Sequence, residues 1–117
     1  MLIKRGDVVR VLYPNSDMRT SKRRPALIVQ TDNLQTGIPQ VIVAMISSNV
    51  VRAGHASRVL ITRGSAEGRQ SGLRLDSLIM TDNLMTIRLS EFDSIMGTLP
   101  PKTMALVDDA LRHTLNL

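Results

Sequence analysis

Four residues of this chain have the types and the placing to handle an anion. Arg24 precedes the apolar run "PALIVQ", Ser47 closes "QVIVAMIS", and Arg74 and Asp76 stand in "RLDS". A guanidinium grips phosphate or carboxylate with a planar fork, a hydroxyl both donates and accepts, and a carboxylate can take up a proton. Basic and hydroxyl residues beside one well-placed acid suit an anionic ligand. Each also has an ordinary explanation: Arg24 could solubilise a strand mouth, Ser47 could simply end its strand, Asp76 could cap a turn, and Arg74 could pair with Asp76.

Other chemistries are excluded by what is missing. Cysteine is absent, which rules out disulfides, thiolate metal sites and a cysteine nucleophile and suits a reducing cytoplasm. His55 falls in an expected loop and His113 in the last turn of an expected helix, and neither has a ligand partner at usable spacing, so no metal site and no cofactor are expected. There is no Walker loop, dinucleotide fingerprint or nucleophile elbow. The start "MLIKRGDVVR" carries no signal-like apolar run, and no stretch approaches the roughly 18 apolar residues of a membrane span, so the chain reads as soluble.

Charge narrows the ligand. Lys and Arg number 15 against 10 Asp and Glu, a net charge of +5, and much of the excess lies in "MRTSKRR" at 18–24. That cluster is either a solvated loop or a footprint for phosphates or an acidic partner. It does not belong to a base-stacking sheet, because Tyr13 and Phe92 are the only aromatic residues. A nucleic-acid ligand would be held mainly by its backbone.

The elements that must position these groups are short and mostly extended. "GDVVRVLYP" (6–14) reads as a strand ended by proline, followed by a polar ten-residue connection to Arg24. Further strands are expected at 25–30, 40–47, 57–62, 76–81 and 94–99, the third apolar enough for burial on both faces. The Gly- and charge-rich "RGSAEGRQSGLR", which contains Arg69, separates the fourth from the fifth. "SEFD" (90–93) matches a helix-capping box for a single turn. "TDNL" occurs at 31–34 and 81–84, each time after an apolar strand, and reads as one strand-exit turn used twice. In "PPKTMALVDDALRHTL", Met104, Val107, Leu111 and Leu115 share one face of a terminal helix with proline in its first turn. Six of the seven methionines, Met18, Met45, Met80, Met85, Met96 and Met104, read as core or dimer filler. With about one domain's length, the whole of 1–117 is expected to form a single mainly β domain: five to seven antiparallel strands curled into a closed or half-closed barrel, with a C-terminal helix.

In this order and with these gaps, "RGDVVRVLYP", "KRRPALIVQTD", "VIVAMIS" and "SGLRLDSLIMTDNLMTI" with "GTL" downstream resemble the MazF/PemK-type toxins of bacterial toxin–antitoxin pairs, over nearly the whole chain. The resemblance implies an SH3-like barrel, a homodimer, and a metal-independent, sequence-specific endoribonuclease that cuts single-stranded messenger RNA at short sequences until a cognate antitoxin occupies its groove. It carries the family's strand-leading arginine onto Arg24, its strand-end hydroxyl onto Ser47 and the Arg-x-Asp pair of some members onto Arg74 and Asp76. Two departures stand out: serine replaces the usual threonine, and the first loop lacks a histidine that some members place there.

On this resemblance the RNA supplies its own nucleophile, the 2′-hydroxyl. Asp76 is then the candidate base, Arg24 the main stabiliser of phosphorane charge, Arg74 a phosphate clamp or orienter of Asp76, and Ser47 a positioning donor. Arg19, Lys22, Arg23 and Arg69 are candidate RNA-binding residues. Two alternatives stay open: a poison of the same fold that binds a protein such as gyrase, and a non-catalytic nucleic-acid-binding barrel.

Overall fold

The computed structural model describes residues 2–14 and 17–117, with the side chain of Pro14 outside that description. Asn15 and Ser16, part of the connection expected from the sequence, therefore lie outside the described residues. Six strands form one antiparallel sheet. They are β1 (Asp7–Pro14), β2 (Ser21–Ile28), β3 (Gln40–Ser47), β4 (Arg58–Ile61), β5 (Ser77–Arg88) and β6 (Phe92–Thr98). Two helices accompany them, α1 (Ala66–Ser71) and α2 (Pro101–Leu115). The strand order is β4-β5-β3-β2-β1-β6, so the first strand of the chain pairs with the last. The sheet is curled but open, since β4 and β6 form its two edges.

Alternation along the β-branched runs builds a core on each face. Val8, Leu27, Ala44, Ile46 and Ile79 pack with Met104, Val107 and Ala110 of α2. Val9, Val11, Ala26, Val43 and Met45 form the second core on the opposite face. Such two-sided burial explains why β3 reads as an almost unbroken apolar run. On α2 the buried stripe is Thr103, Met104, Val107 and Ala110, with Leu111 packed against it, whereas Leu115 is 49% exposed. The expected helical face therefore stops one turn short.

Several expected boundaries shift, each for a physical reason. β2 begins at Ser21, because its pairing with β1 runs out to Pro14↔Ser21; Lys22, Arg23 and Arg24 are strand residues and not part of a connection. Pairing of β2 with β3 starts only at Ala26, so Pro25, which has no N–H, stands where β2 gives up its second neighbour. β5 is twice the length expected. Its partners on β3 jump from Leu84 opposite Ala44 to Met80 opposite Met45, which leaves Thr81, Asp82 and Asn83 as a bulge. The second "TDNL" is thus inside a strand and shares no turn chemistry with the first. The Thr81 hydroxyl donates to the Ser57 carbonyl at 2.6 Å and meets Thr114 Oγ1 at 2.8 Å, tying the bulge to α2.

Ser90 does not cap a helix. A 3-10 turn occupies Leu89–Glu91 with Arg88 at its N-cap position, and Phe92 already begins β6. The Gly-rich separator contains α1, whose N-cap Ser65 accepts from the Gly68 N–H at 3.0 Å and whose C-cap Gly72 has φ +73°. This helix end lies directly on β6. A Cβ on Gly72 would come within 2.2 Å of the Met96 carbonyl oxygen, and one on Gly97 within 2.1 Å of the Gln70 carbonyl oxygen. Two glycines thereby let two backbones touch.

Candidate functional site

Where β2 and β3 outrun their pairing, the sheet opens into a concavity of about 530 Å³. Its lining includes Arg10 of β1, Lys22 to Pro25 of β2, Ile46 to Ser48 at the end of β3, and Gly72 to Leu75 with Ser77 before and within β5. Ser94 and Met96 of β6 complete it. Arg10, Lys22, Arg23, Arg24 and Arg74 contribute five cations, and no carboxylate lines the cavity.

Strand register sets where each cation stands. Val11 is the partner of Arg24 and Tyr13 that of Lys22, so these side chains share the face of the second core. Arg10 is the partner of Pro25, and Leu12 that of Arg23, on the opposite face. The adjacent arginines Arg23 and Arg24 therefore emerge on different sides of β2. Arg24 is half-buried, with its guanidinium carbon 6.0 Å from the centre of the Tyr13 ring, at the outer range of a cation–π contact. Arg23 is exposed and pairs with Asp93 at 3.5 Å. Asp93 reaches it because the register of β6 on β1 shifts there, between the pairs Arg10↔Ser94 and Val11↔Phe92.

Ala26 and Met45 are the last direct partners of β2 and β3, and beyond them Arg24 and Ser47 both line the cavity at its mouth. The Ser47 hydroxyl oxygen accepts the Asn49 N–H at 3.1 Å, and that bond leaves its own hydrogen to donate elsewhere. Arg74 is exposed on the opposite wall. No ion pair joins it to Asp76 among the described residues. Asp76 is exposed and does not line the cavity, although its sequence neighbours Leu75 and Ser77 do; its Oδ1 accepts the Arg63 N–H at 2.8 Å.

The structure thus brings together Arg24, Ser47 and Arg74, adds Lys22 and Arg23 at the rim, and leaves Asp76 just outside. Arg19 and Arg69 do not line the cavity. The Arg19 backbone N–H is held by Asp17 Oδ1 at 2.9 Å in the turn before β2, and Arg69 Nη1 donates to the Gly64 carbonyl at 2.7 Å. Bonds from the Thr20 and Arg19 backbones hold the Asp17 carboxyl below its ordinary range. Among the described residues, no three or more His, Cys, Asp or Glu side chains form a group able to hold a metal ion.

Sequence reasoning passed over Arg10 and Ser94. A charge in the middle of the β-branched run "DVVRVLYP" was the available signal, because an arginine on the same strand face as the core residue Val8 must lead out of the core into a polar opening.

A family model for the PemK-like, MazF-like toxin of type II toxin-antitoxin systems matches residues 4–115. Endoribonuclease EndoA of Bacillus subtilis is 30% identical over 118 residues, covering 100% of this chain and 97% of the relative. Endoribonuclease MazF6 of Mycobacterium tuberculosis is 29% identical over 119 residues, covering 100% of both. Among solved structures, a mycobacterial endoribonuclease in complex with its cognate antitoxin superposes with a TM-score of 0.75 at 22% identity, over 99% of this chain and 97% of that one. A MazE–MazF structure from Deinococcus radiodurans gives a TM-score of 0.76 at 15% identity, over 100% and 99%. At such identities the structural likeness speaks for the fold. With the family match spanning nearly the whole chain, the protein belongs to the PemK-like, MazF-like toxins of type II toxin–antitoxin systems.

Proposed function

We propose that this chain, acting as one domain over 1–117, is an endoribonuclease that cuts single-stranded messenger RNA through the RNA's own 2′-hydroxyl. The observation that carries the reading is the cavity itself: five cations and several hydroxyls over a packed apolar base, with no carboxylate in the lining. Such a site attracts phosphate and repels nothing anionic. The names of its relatives as endoribonucleases support the same reading.

In the proposed reaction the 2′-oxygen attacks the adjacent phosphorus, the bond from phosphorus to the 5′-oxygen breaks, and the products carry a 2′,3′-cyclic phosphate and a 5′-hydroxyl. Asp76 takes the 2′-proton from the rim of the cavity, and solvent protonates the departing 5′-oxygen. Arg24 faces the phosphorane. Its half-buried guanidinium acts through less water than an exposed one would, which strengthens its effect on charge that appears only in the transition state. Ser47 donates to a non-bridging oxygen, Arg74 clamps the phosphate from the other wall, and Lys22 and Arg23 at the rim hold neighbouring phosphates, whereas Arg19 and Arg69 lie outside the cavity.

The same cations suit an acidic segment of a cognate antitoxin, which would silence the enzyme by occupying the cavity. The toxin works as a homodimer in the cytoplasm, where its substrate lies. Incubation of purified protein with a long unstructured RNA in EDTA tests the reading: discrete fragments ending in cyclic phosphate are expected, and intact RNA would overturn it.

A further inference from the structure

The cavity has two unlike halves. Arg24 and Ser47 form the mouth, on one side of β2 and β3, whereas Pro25, Ile46, Leu73 and Met96 form an apolar floor on the other side. Arg10 stands at the edge of that floor. Its backbone has a partner on each side, Pro25 on β2 and Ser94 on β6. Lys22 and Arg23 lie near the end of the β1–β2 pair where the two strands are connected, and Arg74 lies between elements. No hydrogen bond or ion pair engages the Arg10 guanidinium among the described residues.

The apolar shelf beside this cation offers a flat surface that a phosphate does not use. It matches an unpaired base lying flat on Pro25, Leu73 and Met96 with its edge turned to Arg10. The guanidinium offers donors only, in a fork, and guanine presents two adjacent acceptors, O6 and N7, on one edge. On that same edge adenine places a donor beside its N7 and cytosine presents a donor at N4, so both set donor against donor there, and the 7-deaza probe reports this edge alone. We propose that Arg10, seconded by the Ser94 hydroxyl, is the specificity-determining residue of this chain and selects one guanine in the RNA next to the cut.

This role for Arg10 rests on the RNA-cleaving reading of the same cavity, but it can be measured without cleavage. The probes are uracil hexamers with 2′-fluoro sugars, which lack the nucleophile, carrying guanine at each position in turn. A matched set carries 7-deazaguanine, which lacks the N7 acceptor. At one position guanine should bind about tenfold tighter than 7-deazaguanine or uracil, within the range of a bidentate base contact. Arg10→Leu removes every donor at this position, and should bind the guanine and deaza probes alike. Its exposed position makes unfolding no explanation, and melting of the variant checks this. Absence of any guanine preference in the wild type, or its survival in Arg10→Leu, would overturn the proposal. A preference that depends on Arg10 in a protein that leaves RNA intact would uphold the base site and remove the endoribonuclease reading. Cutting without a guanine preference would do the reverse.

Discussion

The Arg63 N–H points at Asp76 Oδ1 from 2.8 Å, so the carboxylate proposed to accept a proton also fastens the exit of β4 to the start of β5. The two roles separate by substitution. Asp76→Asn retains an acceptor oxygen for Arg63 but cannot take a proton, so it should melt like the wild type and bind RNA normally while cleaving about 10² or more times slower, the usual worth of a general base. Asp76→Ala should lose stability as well, by about 1 kcal/mol for the bond to Arg63. Full activity in Asp76→Asn would assign the carboxylate to the turn alone.

At the mouth of the cavity the expected split is between rate and affinity. Arg24→Ala should lower single-turnover cleavage by about 10² or more and weaken RNA binding far less, as befits a group that meets charge only in the transition state. Ser47→Ala should lose about tenfold, roughly the worth of one hydrogen bond, and Ser47→Thr should restore the rate because it keeps the hydroxyl. A parallel loss of affinity and rate in Arg24→Ala would mark it as a binding residue.

Binding at the rim is expected to follow ionic strength. If Lys22, Arg23 and Arg74 each neutralise one phosphate, log affinity should fall with log salt at a slope near −2, taking about −0.7 per contact with a single strand. Asp93 pairs with Arg23 and competes with the RNA for it. Asp93→Asn should therefore tighten binding, and Lys22→Ala with Arg23→Ala should flatten the slope. An unchanged slope in the double variant would put the RNA on another face.

The pair of Arg58 and Asp82 gives a pH signature away from the cavity. Arg58 Nε and Nη2 meet the two Asp82 oxygens at 2.8 and 2.9 Å, and this hydrogen bonding holds the Asp82 carboxyl below its ordinary range. A lowered carboxylate stabilises the fold at neutral pH, and that contribution is lost as pH falls through the lowered value. Because Asp82 is 41% exposed, Asp82→Asn should cost only about 0.2–1 kcal/mol at neutral pH. Urea denaturation should show the gap between wild type and variant closing in acid.

How much of this could be read in advance depends on whether local or distant neighbours decide. β3 reads correctly end to end because an unbroken apolar run is buried wherever it goes. The helix start at Pro101 reads correctly because proline and spacing are local signals. The start of β2 does not: nothing in "SKRR" favours a strand, and only its register against β1 holds it extended. The bulge at Thr81 to Asn83 is equally hidden, since it exists to reach Ser57 and Thr114, residues 24 and 33 positions away. For the cavity, Arg24, Ser47 and Arg74 were placed among its lining by their sequence neighbours. Arg10 showed only as a charge inside a β-branched run, and Ser94 becomes visible only when β1 pairs with β6.

That last pairing also orders events in time. Ser94 and Met96 belong to the cavity wall, and Gly97 seats the end of α1, so the site cannot close until the final strand has found the first. Contacts between such distant parts of a chain form late in folding. A nascent chain that ends before Ser94 is therefore expected to lack the assembled cavity. Stalled nascent chains ending at Glu91 should leave added RNA intact, whereas released full-length protein should cut it; cutting by the stalled chains would show that β6 is dispensable.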